Sequence, residues 1–265
     1  MMNDKEKLKN AIRKELVSIA KAEAKLKKNA QTNLSKNNGF LKDKIPYGLK
    51  VTLEKSFFKA FEWIFKNGTA IIEKSYNKED LSGDFKIRDY AIDLKCNRKE
   101  LKKLKKQAQK SDLKNMSITA VEGVGLGALG IGLPDIVIFT GMRLKGIYEV
   151  ALRYGYDYEL PQEKYFILLM MKTALSKGEK WITFNAHVDD MIGSFYAVND
   201  DILICETEEA SKAFATDMLV SKFIQGLPVV GIIGGVLNPV YYSKILSYVR
   251  LKYHKRYLTE KLSTL

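Results

Sequence analysis

The stretch GVGLGALGIGLPD, Gly123–Asp135, decides how the chain is read. Five of its first ten residues are glycine, and Gly125–Gly130 spells G-x-G-x-x-G. A dinucleotide-binding loop would need a strand before it, a helix begun inside it and a second βαβ unit behind it. Ser117–Val121 could be a short strand, but Glu122 interrupts it, Pro134 falls about two turns into the helix that should follow, and no second βαβ unit appears. As a helix the same residues are consistent. Gly123, Gly127 and Gly130 fall on one face at i, i+4 and i+7. Each costs ~1 kcal/mol relative to alanine, a loss that close backbone packing can offset. Gly132 then ends the helix, and Pro134-Asp135 starts the next.

A second stretch, Gly226–Val240, repeats the arrangement. Gly231, Gly234 and Leu237 align with Gly127, Gly130 and Leu133, and Asn238-Pro239 stands where Pro134-Asp135 stood. The sequence therefore predicts two glycine-rich helical hairpins, over 119–154 and 226–255. They are expected to pack together through Gly123, Gly127 and Gly130 on one and Gly231, Gly234 and Gly235 on the other. Outside them, Leu8, Ile12, Leu16 and Ile19 mark a basic helix over 1–29, and a polar, turn-rich linker follows over 30–46. A helix with an aromatic flank, Phe57 to Phe65, runs from Pro46 to about Lys66 and ends at Asn67-Gly68. Residues 85–110 read as one basic helix, Ile136 to Tyr154 as an apolar one, and Pro161 with Glu163 as the start of another. Residues 182–204 are the least helical, and Thr207 caps a helix through Gln225. The expected fold is all-α: a multi-helix bundle with a basic arm and linker over 1–44 and a helical domain over 45–265.

The bulk numbers narrow the partners. The 265 residues are 46% hydrophobic, enough for a sizeable core, and carry a net charge of +13. That balance points to acidic partners: an anionic membrane surface, nucleic acid or an acidic protein face. The two cysteines, Cys96 and Cys205, follow no ligand spacing and suit a reducing compartment. The N-terminus has no apolar run of the kind that directs secretion, and the longest apolar stretch, Val124–Met142, is broken by Pro134-Asp135. A cytoplasmic protein, peripheral to the inner face of the cell membrane, is expected.

Several of these residues resemble the EcsC protein family. The block Glu122-Gly123-x-Gly125-x-Gly127-x-x-Gly130-x-Gly132-Leu133-Pro134-Asp135 is the most specific part. Ile147-Tyr148-Glu149, Tyr154-Gly155-Tyr156-Asp157, Pro161-x-Glu163, Gln225-Gly226-x-Pro228 and Lys255-Arg256-Tyr257-Leu258 fit as well, as does Ile72-Glu73-Lys74-Ser75-Tyr76. The resemblance spans roughly 50–260 and leaves out the N-terminal arm. It implies an all-helical protein in a bacterial cytoplasmic or membrane-surface setting. The family takes its name from a gene beside those of an ABC transporter, so a transporter or another membrane protein becomes an expected partner. The resemblance supplies no catalytic residue and no cofactor.

Three groups of residues stand out as candidates. Glu122, Asp135 and Arg143 are charges in apolar sequence, and could form either a buried acid–base cluster or a structural pair with a helix-start carboxylate. His187, Asp189 and Asp190 offer potential metal ligands in a loop, although metal sites usually draw on more histidine and cysteine. Lys99, Lys102, Lys103, Lys105 and Lys106 crowd one helix with only Glu100 among them, as a membrane or other anionic contact would require. Neither G-x-S-x-G nor H-E-x-x-H occurs. The reading that follows is a non-enzymatic membrane accessory protein. A soluble hydrolase or ligand-binding enzyme using Glu122, Asp135 and Arg143 is the alternative, and nucleic-acid binding is a third.

Overall fold

The structure is a computed structural model that describes residues 3–32, 46–109, 134–194, 197–224 and 239–265. Every regular element among them is helical. The elements are α1 (Asp4–Thr32), α2 (Tyr47–Trp63), a π-helical turn (Ile64–Gly68), α3 (Thr69–Glu73), α4 (Lys78–Lys95), α5 (Arg98–Ala108), α6 (Pro134–Arg153), α7 (Pro161–Leu175), α8 (Gly178–Met191), α9 (Asp200–Ile224) and α10 (Pro239–Ser263). The expected all-α bundle is what forms. Glu122, Gly123, Gly127, Gly130, Gly231, Gly234 and Gly235 lie outside the described residues, and the packing expected of their glycine faces lies there with them. The later helices of the two segments, α6 and α10, do pack on each other.

Burial explains the order of the layers. α6 is buried on nearly all sides, with Ile136, Leu144, Ile147, Tyr148, Val150 and Ala151 sealed from solvent. α2, α3, α4, α5 and α10 all pack on it. α7 is the second inner helix: Phe166 through Leu175 are buried without interruption, and α8, α9 and α10 cover it. A stretch buried on every side in this way marks a helix surrounded by others, and its one charge, Lys172, is taken up by Glu206 at 2.8 Å. The aromatic flank that the sequence places on α2 turns inward. Phe57 packs on Phe139 and Phe214 at 6.0 and 5.4 Å, and Phe61 on Phe214 at 5.5 Å. These rings belong to the core and not to a membrane-facing surface.

α1, read from sequence as part of a basic arm, lies on the body. Leu8, Ile12 and Ile19 are buried at the heptad-like spacing the sequence shows. Two polar links hold the helix. Glu15 accepts from Arg98 of α5, and Glu23 accepts from Lys252 and Lys255 of α10.

Other boundaries differ from the sequence reading. The basic segment is two helices, because Cys96 takes a left-handed conformation (φ 46°) and Asn97 restarts the chain by accepting from the Glu100 N–H at 3.1 Å. Asn97-x-x-Glu100 is thus a helix-start pair hidden inside a lysine run. At Asn67-Gly68 the helix does not end but widens into the π turn. A Cβ on Gly68 would sit 2.9 Å from the Trp63 ring. Residues 182–191 are helical because Trp181, Val188 and Met191 are buried at i, i+7 and i+10. α9 begins about two turns before Thr207: Asn199 caps it by accepting from the Ile202 N–H at 2.9 Å, and Thr207 Oγ1 donates back to the Leu203 carbonyl.

Two predictions follow from this packing. Gly155 ends α6 with φ +82°, and a Cβ there would lie 2.2 Å from the Phe85 ring, whereas a Cβ on Gly83 of α4 meets nothing within 4 Å. Gly155→Ala should therefore cost about 2–4 kcal/mol in urea unfolding, from left-handed backbone strain and overpacking together. Gly83→Ala should be neutral or stabilising by up to ~1 kcal/mol. Equal effects of the two would contradict the packing.

The second prediction concerns acid. The His254 imidazole and the Arg98 guanidinium facing Glu15 hold its carboxyl at about 2, below the ordinary 4.5. A depressed carboxyl stabilises the fold above its unfolded value and loses that contribution as pH falls. The Glu15 contribution should be complete above pH 4.5 and disappear towards pH 2. Denaturation midpoints of Glu15→Gln should fall less steeply across that window than those of the parent chain. Parallel curves would contradict it.

Candidate membrane-facing surface

The α4–α5 hairpin forms an outer layer over α6. α4 turns Leu81, Phe85 and Ile92 inward, and its acids are drawn to α10: Asp89 accepts from Tyr257 and Lys261 at 2.7 and 2.8 Å, and Asp93 from Lys261 at 2.7 Å. α5 buries Leu101, Leu104 and Ala108. The two helices are joined side by side, since Gln107 accepts from Arg88 at 3.1 Å and donates to Asp84 at 2.6 Å. With these rows committed, the remaining faces of both helices point away from the body.

The outward rows differ in chemistry. On α4, Ile87, Tyr90 and Leu94 fall at i, i+3 and i+7 and are 66%, 68% and 67% exposed. They form an apolar stripe with no protein against it among the described residues. On α5, Lys99, Lys102 and Lys106 are exposed and form no ion pair among the described residues, and Lys103 is held by buried Glu100 at 2.9 Å. Lys105 departs from the group: it is half-buried and lines a cavity towards α10. The lysines were legible in the sequence. The stripe was not singled out there, although its i, i+3, i+7 spacing opposite Leu81 and Ile92 is a signal for it.

The remaining sequence candidates separate in space. Arg143 is buried, with its guanidinium 3.1 Å above the centre of its neighbour Phe139's ring and Nη1 donating to the Phe139 carbonyl at 3.1 Å. Asp135 sits in the first turn of α6, the helix-start position expected from Pro134-Asp135. His187, Asp189 and Asp190 lie on α8 and not in a loop. The Asp189 carboxylate is taken up by Lys252 and Lys255 at 2.7 and 2.9 Å and by Asn185 at 3.1 Å, and no group of three metal-ligating side chains gathers among the described residues.

Dispersed motif residues meet instead in two polar clusters. In one, Tyr76 donates to the Tyr158 hydroxyl at 2.9 Å, Tyr158 donates to Glu73, and the Tyr158 ring stacks on Tyr148 at 4.0 Å. In the other, buried Glu163 accepts from Tyr253 at 2.6 Å and Arg256 at 2.8 Å. Arg256 also donates to Glu260, which accepts from Tyr156. Burial pushes the Glu163 carboxyl up, and the Arg256 charge opposes that shift. In both clusters the carboxylates are occupied by donors of the fold, which suits holding helices in register more than acid–base work. A larger cleft of about 450 Å³ between α2, α7, α8 and α9 carries Lys50, Lys172, Lys177, Lys180 and Lys212, but Glu54, Glu209 and Asp217 line it too. Lys212 is bound to Glu209 at 2.8 Å, so much of that charge is spent internally.

No helix among the described residues is long and apolar enough to cross a membrane. The model of the EcsC protein family matches residues 10–258. That match begins inside α1, earlier than the sequence resemblance reached. Protein EcsC of Bacillus subtilis (strain 168) is 28% identical over 163 residues, 58% of this chain and 63% of that protein. No solved structure matches. With the family's model covering the described helices from α1 to α10, the chain belongs to the EcsC protein family.

Proposed function

We propose that this chain is a non-enzymatic accessory protein that docks on the cytoplasmic face of a membrane and serves a membrane-embedded partner, with an ABC transporter as the expected class. The observation that carries this reading is the pairing of an exposed apolar stripe on α4 with lysines on α5 that form no ion pair among the described residues. Either row alone is ordinary on a protein surface. Side by side they match the two layers of a lipid interface, where anionic headgroups lie above acyl chains.

The magnitudes favour reversible docking. Three lysines near an anionic surface contribute ~1 kcal/mol each. Partial insertion of Ile87, Tyr90 and Leu94 adds a few kcal/mol at ~25 cal/mol per Å² of apolar area. A total on the order of 5 kcal/mol corresponds to a dissociation constant somewhat below ~1 mM. Nucleic acid would use the lysines but has no use for Ile87 and Leu94 at their exposure.

Vesicle flotation tests the reading. The chain should float with phosphatidylglycerol vesicles at low salt, stay down with phosphatidylcholine vesicles, and be released as salt rises. The K99E/K102E/K106E variant should bind at least ~100-fold more weakly, as three reversed charges require. I87S/Y90S/L94S should bind more weakly at an unchanged melting temperature. No flotation of the parent chain, or equal flotation of the variants, would overturn the proposal. So would a gel shift with RNA that is stronger than vesicle binding and insensitive to the stripe.

A further inference from the structure

The cleft of about 450 Å³ between α2, α7, α8 and α9 is apolar within and cationic at one rim. Leu175 of α7, Phe184 of α8, and Ala213 and Val220 of α9 line it with carbon. Leu175 and Val220 are buried side chains of the core that the cleft reaches.

Most of the charge in the lining is matched internally. Lys212 is bound to Glu209 at 2.8 Å, and Lys50 lies 3.8 Å from Glu54. Lys172 is buried, is taken up by Glu206 at 2.8 Å and lies over the Phe184 ring, 4.4 Å from its centre. The third acid of the lining, Asp217, is not free either. Two cations are left over. Lys177 and Lys180 are exposed, line the cleft and form no ion pair among the described residues. The backbone adds to that rim. Lys177 stands at the N-cap of α8 and gives the first N–H groups of the helix no side-chain cap, so the positive end of α8 lies beside the two ammonium groups. The negative end of α7 is blunted, because the Ser176 N–H and hydroxyl both donate to the Lys172 carbonyl, at 3.1 and 2.8 Å.

From this geometry we infer that the cleft binds a single-chain amphipathic anion of the fatty-acid type, with its carboxylate at Lys177 and Lys180 and its chain along Leu175, Phe184, Ala213 and Val220. The volume falls within the ~300–1,000 Å³ typical of small-ligand sites. Such a ligand uses both halves of the cleft. Its carboxylate supplies the counter-charge that the rim lacks, and its chain displaces water from the carbon surface. A wholly polar anion leaves the apolar wall wet, and a neutral apolar molecule leaves the rim unmatched. The inference stands apart from membrane docking, because none of the four helices around the cleft carries the stripe of α4 or the lysines of α5.

The test uses the full chain with labelled leucine and valine methyl groups, titrated with decanoate to ~5 mM and read by NMR. The Leu175 and Val220 methyl signals should shift saturably. Leu94, on the exposed stripe of α4, is the control for adsorption elsewhere and should not follow them. Acetate, the headgroup alone, should produce no saturable shift, and decanol, the chain with a neutral end, should bind at least ~10-fold more weakly than decanoate. The K177Q/K180Q variant changes two exposed side chains, so its melting temperature should stay the same while decanoate binding weakens about tenfold, as the loss of two exposed ion pairs requires. The inference would be overturned by no shift with decanoate, by shifts confined to Leu94, by the same shifts with acetate, by equal affinity for decanol, or by undiminished affinity in K177Q/K180Q.

Discussion

The pairing of charges along α10 is the constraint on which the bundle depends. Lys252 is fully buried and bridges Glu23 of α1 and Asp189 of α8. One turn on, Arg256 reaches Glu163 of α7, and Lys261 reaches Asp89 and Asp93 of α4. Arg250 holds the carbonyl end of α5. An ammonium left unpaired inside a protein costs several kcal/mol, so each of these side chains fixes the register of a different helix. A slide of α1 or α8 along α10 would strand Lys252. The hydrophobic layers provide the larger share of the free energy, but they tolerate many alignments. The charged contacts select one.

The same pairing decides what reaches the surface. α10 consumes Asp89 and Asp93 of α4, and Glu100 is consumed by Lys103 and approached by Lys95 at 3.7 Å. Among the described residues, the lysines that remain on α5 have no counter-charge left, and the stripe on α4 has no neighbour. A strongly basic composition is thereby converted into a local feature beside an apolar one.

Much of the fold was legible where signals are local. Proline at the start of α6 and α7, the four-and-three spacing of α1, and the apolar run of α6 all led to helices that form. Signals that depend on distant partners were not legible. α8 looks non-helical until Trp181 and Val188 find the core, and the break at Cys96 hides within lysines that favour a continuous helix. Lys255-Arg256-Tyr257 stands out in the sequence only as a motif near the end of the last helix, yet Arg256 and Tyr257 hold partners that lie 93 and 168 residues away. His187, Asp189 and Asp190 attracted a metal reading because the sequence does not show that Lys252 claims Asp189. For the candidate surface, Lys99, Lys102 and Lys106 were visible at once. The stripe required knowing which side of α4 faces α6.

Lysine-reactivity footprinting, read by mass spectrometry with and without phosphatidylglycerol vesicles, addresses the charge pairing and its surface consequence together. The account predicts that Lys252 resists acylation under native conditions in both samples. It predicts that Lys99, Lys102 and Lys106 are modified readily in solution and become protected when the chain is on vesicles. Rapid modification of Lys252, or the three α5 lysines staying equally reactive on vesicles that carry the protein, would contradict it.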